Sequence, residues 1–319
     1  KRHGATGYRK HADLRDLLKL LAGYPLPIEV VLANLARQTP AEVLASLRAG
    51  LASLDTGKAD KTESLLACVD YSFGNLAEAD QRLLLALAPF TGVVFTNLLE
   101  DYGKLLLTQP ALAGLPVDRW QPVLKGAADW GLIGGHDVPG YLTLQPIFPY
   151  FLRARLAGAE QAASREAIET AYRELYDQWG GELGQLARSK EPQERQVGLA
   201  LIGIEYENLR TAVELALAAR ASFHNPNVAL SIYLKTQQDF TRLLTLSEGV
   251  YARRAEYEPA ALAGKLGLDF ARCLEDVALC RLELKQLDAA AQAYRDELTV
   301  LGDVKGEWAS QARKWRATA

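Results

Sequence analysis

Most of this chain reads as short amphipathic helices, and one stretch does not. Leu132-Ile133 and Tyr141-Leu142-Thr143-Leu144 are two apolar runs on either side of Gly134-Gly135-His136-Asp137-Val138-Pro139-Gly140. Short apolar runs flanking a Gly/Asp/Pro-rich turn are the signature of a β-hairpin. Helical patterns border it: 118–130, with Trp120, Leu124, Ala127 and Ala128 inward, and a helix opened by Pro146 that runs to about Leu156 with Phe148, Phe151 and Leu152 apolar. Helices, then a hairpin, then a further helix predict a winged-helix arrangement.

The remaining periodicity predicts an all-α chain. Leu14, Leu17, Leu18 and Leu21 form an i, i+3, i+4, i+7 stripe over 11–22, stopped by Gly23. A second helix spans 28–37, and Thr39-Pro40-Ala41-Glu42 reads as an N-cap, a first-turn proline and an acidic first turn of a third, ending near Gly50. Residues 54–62 form a polar linker. Helices are expected over 63–73 and 77–87, and Gly92-Val93-Val94-Phe95 is expected to be short and extended or turned. A helix over 160–179 is expected to be interrupted by Gly180-Gly181; helices follow from Pro192 to about Leu201 and over 205–219, and 222–227 is expected to turn. The expected organisation is a helical subdomain over 1–55, a winged-helix domain over 56–157, a helical linker region over 158–222 and an α-solenoid of tetratricopeptide-like helix pairs over 223–319.

The solenoid expectation rests on one repeat. Ala278, Ala290 and Tyr294 stand at the offsets of positions 8, 20 and 24 of a 34-residue tetratricopeptide repeat over about 271–304, with Leu274 and Val277 at positions 4 and 7. Arg281 replaces the usual Tyr and Glu297 the usual Ala. Stepping back 34 residues gives no clean second match, so a generic antiparallel helix pair is the competing reading.

Composition excludes several classes. The 319 residues carry 36 basic and 39 acidic side chains for a net charge of −3, and no run of 18 uncharged apolar residues occurs, so no membrane span is expected. The first ten residues lack the apolar core of a signal peptide. Three cysteines are too few for a disulfide framework and fit a reducing, cytoplasmic compartment. The chain has no methionine and starts and stops abruptly, which reads as a piece of a longer protein. There is no GxxxxGK[ST] and no GxGxxG, and no local Ser/His/Asp signature. His3, His11, His136 and His224 pair with no Cys or His at metal spacing, and Cys273 and Cys280 read as buried structural thiols. No catalytic or metal site is therefore expected. The helices over 63–73 and 118–130 are not basic, so nucleic-acid binding is not expected. Arg153 and Arg155 are expected to complement the end of their own helix.

Leu21-Ala22-Gly23-Tyr24-Pro25-Leu26-Pro27, the helices of 63–87, the hairpin, and Leu144-Gln145-Pro146-Ile147-Phe148-Pro149-Tyr150-Phe151-Leu152-Arg153 occur in a recognisable order. That order resembles the carboxy-terminal half of the nucleotide-binding module of STAND signalling ATPases, the NB-ARC proteins found among apoptosome scaffolds, plant immune receptors and bacterial multi-domain regulators. The likeness covers 11–157 and, more loosely, 200–319, where Glu205-Tyr206-Glu207-Asn208-Leu209-Arg210-Thr211-Ala212 is similar to the segment leading into helical repeats in bacterial members. The resemblance implies that Gly23, Tyr24 and Pro25 form the family's G-x-P segment, with Pro25 packed on adenine and Leu26 beside it. It implies that Leu144-Gln145-Pro146 stands at the Met-His-Asp-type motif whose His reaches the ADP phosphates. Gln145 replaces that His, and its amide retains the capacity to donate a hydrogen bond.

The implied nucleotide contacts are thus Gly23, Pro25, Leu26 and Gln145, toward ADP or ATP held by the full-length protein. Without Walker A and B segments this piece is not expected to hydrolyse ATP, nor to hold nucleotide tightly alone. The family logic is a latch that closes over ADP and opens on exchange, allowing self-association, with the repeats sensing a protein or small-molecule signal. A tetratricopeptide scaffold without a nucleotide switch and a winged-helix transcription regulator are the alternatives, the latter disfavoured by the acidic balance.

Overall fold

A computed structural model describes residues 61–317, residues 38–45 and the single positions 14 and 35. The helices expected over 11–22 and 28–37, the segment Gly23 to Pro27 and most of the 54–62 linker lie outside the described residues. Among the described residues helix accounts for 75% and strand for 4%, so an all-α class with one small sheet describes them. It divides into two compact units, Lys1–Tyr172 and Arg173–Ala319.

In the first unit, Thr39 caps the helical turn over 40–45 as its sequence predicts. The Glu42 backbone N–H donates to Thr39 Oγ1 (3.3 Å), and the Thr39 backbone N–H donates back to Glu42 Oε2 (2.7 Å). This reciprocal capping box satisfies two donors that a helix start leaves open. The elements that follow are α1 (Lys61–Gly74), α2 (Glu78–Leu85), β1 (Val93–Phe95), α3 (Leu99–Leu107), α4 (Trp120–Asp129), β2 (Ile133–Gly135), β3 (Tyr141–Leu144) and α5 (Phe148–Arg155).

The expected hairpin is β2–β3, and β1 joins it on the far side of β3 to give an antiparallel sheet of order β1-β3-β2. Val94 faces Leu142, and Ile133 faces Leu144. Gly140 is required at the end of the β2–β3 turn. Its φ of +84° lies in the left-handed region, and a Cβ there would meet the Phe95 ring at 2.9 Å. That ring stacks on Tyr141 at 4.6 Å. Phe90 sits at the centre of the helical layer, edge-on to both Tyr102 (5.5 Å) and Tyr172 (5.0 Å). The buried Tyr102 hydroxyl donates to Ala86 O at 2.7 Å, so this polar tip inside the core is satisfied.

The helix α6 (Ala162–Ala187) contains the boundary between the units and runs through Gly180-Gly181 without interruption. The glycines serve packing. A Cβ on Gly180 would stand 2.9 Å from the backbone nitrogen of Pro226. The second unit continues with α7 (Pro192–Ile204), α8 (Tyr206–Ala218), α9 (His224–Thr236), α10 (Phe240–Ala252), α11 (Pro259–Leu262), α12 (Lys265–Glu283), α13 (Leu287–Asp303) and α14 (Ala309–Arg316). The turn expected over 222–227 is shorter than its composition implies. Helix α9 already starts at His224, because Pro226 in a first turn gives up no intrahelical bond.

The loops after α9 and α12 are built alike. Gln238 (φ 56°) and Lys285 (φ 61°) are both left-handed. Asp239 N bonds Leu234 O, and Gln286 N bonds Arg281 O, each closing the wide turn of a Schellman end. The two sites lie 47 residues apart. At that spacing Ser231, Leu243 and Ser247 correspond to Ala278, Ala290 and Tyr294, and all but the half-buried Tyr294 are buried. A search at 34 residues misses this pair because the 3-10 turn Arg253–Glu256 and α11 are inserted between α10 and α12.

Candidate functional site

Of the residues implied in nucleotide contact, Gly23, Pro25 and Leu26 lie outside the described residues. Gln145 lies directly after β3. Its backbone N–H donates to Leu132 O (3.1 Å) and its carbonyl accepts from Phe148 N (2.8 Å), so the main chain ties the sheet to the start of α5 while the side chain is half-buried. Leu144 beside it is buried.

Arg153 and Arg155 sit in the last turn of α5, as expected, and each also reaches beyond its helix. Arg153 donates to Ala88 O (3.2 Å) and lies over the Tyr150 ring, and Arg155 pairs with Asp70 on α1 and lies over Phe151. Helix α4 carries Lys125 as its single basic residue. The groove of about 640 Å³ beside α4 also presents Glu100 and Asp118. Carboxylates there repel phosphate, so this face has the wrong charge for a nucleic-acid groove.

The second unit is polar where its sequence pattern looked apolar. Helices α9 and α12 meet along a seam of paired side chains. His224 Nδ1 lies 2.5 Å from Asp269 Oδ1, Asn227 Nδ2 donates to Cys273 Sγ (3.7 Å), Ser231 Oγ donates to Asp276 Oδ2 (2.7 Å), and Lys235 Nζ lies 2.5 Å from Asp276 Oδ1. Asp269 and Asp276 are buried. They stand seven residues apart, as Cys273 and Cys280 do, and an aspartate repeating at that spacing along an apolar stripe was the available signal. Cys273 and Cys280 are buried, as their spacing predicts. Burial pushes the Cys280 thiol to about 11 and raises that of Cys273.

Glu205, which opens the Glu205–Ala212 segment, is fully buried. Its Oε2 accepts from Tyr176 Oη (2.8 Å) and from Asn208 Nδ2 (2.7 Å). The Glu and Asn of that segment therefore form one hydrogen-bonded clasp at the start of α8. Two residues after Asn208 the exposed Arg210 pairs with Glu207 (3.0 Å) and Glu214 (2.8 Å) along the helix surface.

That surface forms one wall of an open groove of about 540 Å³ between α8 and α10. Val213, Leu217, Leu246 and Val250 make its apolar floor, and Gly249 leaves open space there. Tyr206, Glu207, Arg210 and Arg242 line one end, and Glu207 and the further lining residue Glu214 are each paired with Arg210. Burial raises the Tyr206 hydroxyl above its usual range, and the Arg242 charge acts on it in the opposite direction. Volume and apolar lining lie in the range of small-molecule pockets.

Among the described residues no group of three or more His, Cys, Asp or Glu is placed to hold a metal ion, and no helix is long and apolar enough to cross a membrane. No protein-family model, curated protein or solved structure matches the chain.

Proposed function

We propose that the chain is the regulatory and sensor part of a STAND-type signal-transduction ATPase, acting in the cytoplasm. In this reading the helical subdomain and a winged helix close over ADP, and tetratricopeptide-like repeats sense a protein or small-molecule signal that controls opening and self-association. The observation that carries it is the order of elements around the sheet. Strand β1, helices α3 and α4, and the β2–β3 hairpin, with β3 central, follow the winged-helix order. Leu144 ends the last strand and Gln145-Pro146 follows it directly, where the family has its phosphate-sensing motif. The matching buried positions of α9–α10 and α12–α13 at a 47-residue offset support the sensor half of the reading.

The part played here is binding and switching. Pro25 packs on adenine and the Gln145 amide hydrogen-bonds a phosphate oxygen in the closed state. Closure by ADP requires that it bind the closed arrangement more tightly than the open one. The test is co-purifying ADP in the full-length gene product. Pro25→Ala and Gln145→Ala are each expected to lower the retained nucleotide several-fold. Unchanged ADP content in both variants overturns the reading.

A further inference from the structure

The groove between α8 and α10 has two donors at one end that its own charges leave open. Arg242 is largely exposed, and its one ion pair, through Nε to Asp239 at 3.5 Å, is loose. Asp239 is already engaged, since its Oδ1 accepts the Arg242 backbone N–H as the N-cap of α10 (3.1 Å). The terminal guanidinium nitrogens of Arg242 have no acceptor among the described residues, and neither does the Tyr206 hydroxyl. Arg210, on the same rim, uses Nε and Nη1 for Glu207 and Glu214 and keeps Nη2 free. Arg253 at the other end is clamped by Glu256 through Nε and Nη2, so its charge is matched by a close carboxylate, unlike that of Arg242. The groove is therefore asymmetric, with open donors at one end and an apolar floor along its length.

We propose that this groove binds an amphiphilic anion, its carboxylate or phosphate head between Arg242 and Tyr206 and its apolar body along Val213, Leu217, Leu246 and Val250. The guanidinium can only donate and the phenol hydroxyl can donate, so an oxyanion satisfies both, whereas a cation is repelled by the guanidinium. The floor rewards an apolar body by removing it from water. This deepens the sensor reading above by naming the chemistry of its signal. Binding is measured without nucleotide, so its failure and the failure of the ADP latch are read in separate assays.

The probes are octyl phosphate, decanoate, octanol and inorganic phosphate, titrated calorimetrically into the intact chain. Octyl phosphate or decanoate is expected to bind at least about tenfold more tightly than octanol or inorganic phosphate, and which of the two binds better separates a phosphate from a carboxylate head. Loss of one charge-assisted bond in Arg242→Gln is expected to weaken binding about tenfold or more, and Tyr206→Phe a few-fold. Gly249→Leu extends into open space in the floor and is expected to abolish binding without touching either donor. No binding of either anion to the wild type, equal affinity for octanol, or Arg242→Gln and Gly249→Leu binding as wild type overturns the proposal. So does capture of a protein partner on this face that the anions fail to displace.

Discussion

Glu297 sets up a pH dependence that is testable in detail. It stands on α13 and is fully buried. Burial, with Glu275 and then Asp276 adding like charge, lifts its carboxyl from 4.5 to about 7, while the Trp315 indole N–H draws it the other way. Between these values the folded chain keeps a proton that the unfolded chain has released. Stability must therefore fall as pH rises through that window and level off above about 7. At about 1.4 kcal/mol per pH unit the ceiling on this loss is about 3 kcal/mol.

Glu297→Gln keeps the shape and removes the titration. The variant is expected to match wild type below about pH 4 and to exceed it by up to about 3 kcal/mol at pH 8. The assay is hydrogen exchange of peptides within 265–303, compared between wild type and variant at each pH so that intrinsic exchange cancels. Parallel pH profiles of the two proteins would refute the argument, because they would mean that Glu297 is ionised and solvated in the folded chain.

Two helix glycines are expected to respond oppositely to alanine. Alanine gains about 1 kcal/mol in a helix interior. At Gly180 its Cβ would stand 2.9 Å from backbone that cannot yield, an overpacking cost of about 1–3 kcal/mol, so Gly180→Ala lowers the melting temperature. At Gly249 nothing lies within 4 Å, so Gly249→Ala raises it. The same sign at both sites would contradict the packing assigned to α6. Burial holds Cys68 at about 12 and Cys280 at about 11, and raises Cys273. At pH 8 an aromatic disulfide reagent should find no reactive thiol in the native chain and three after denaturation, and fast native labelling at any of them would show that its burial is misjudged.

The sequence displayed what local chemistry decides. Thr39 and Glu42 are a capping pair in any context, and the 132–144 pattern admits little besides a hairpin. It hid what packing decides. Gly180-Gly181 reads as a helix breaker because glycine is a poor helix former, yet α6 runs through it, and Gly180 is needed because Pro226 comes too close for a Cβ. Periodicity told which face of α12 turns inward, but not that Asp269 and Asp276 on that face meet His224, Ser231 and Lys235 from a helix about 45 residues upstream. The correspondence of α9–α10 with α12–α13 at a spacing of 47 residues was not visible at a fixed period of 34. The donor-rich end of the α8–α10 groove joins Tyr206 to Arg242, which are close only once α8 and α10 are side by side.

The left-handed residues at the helix ends have a consequence for how far the chain can drift. Arg220, Gln238 and Lys285 each hold a conformation that costs a side-chain-bearing residue about 1 kcal/mol and glycine almost nothing. The three positions are well separated in sequence, so glycine at all of them should add about 2–3 kcal/mol. That unused margin is comparable in size to the penalty of keeping Glu297 buried above neutral pH. A lineage holding this fold has room to tolerate one ill-suited carboxyl in its core by changing three residues on its surface.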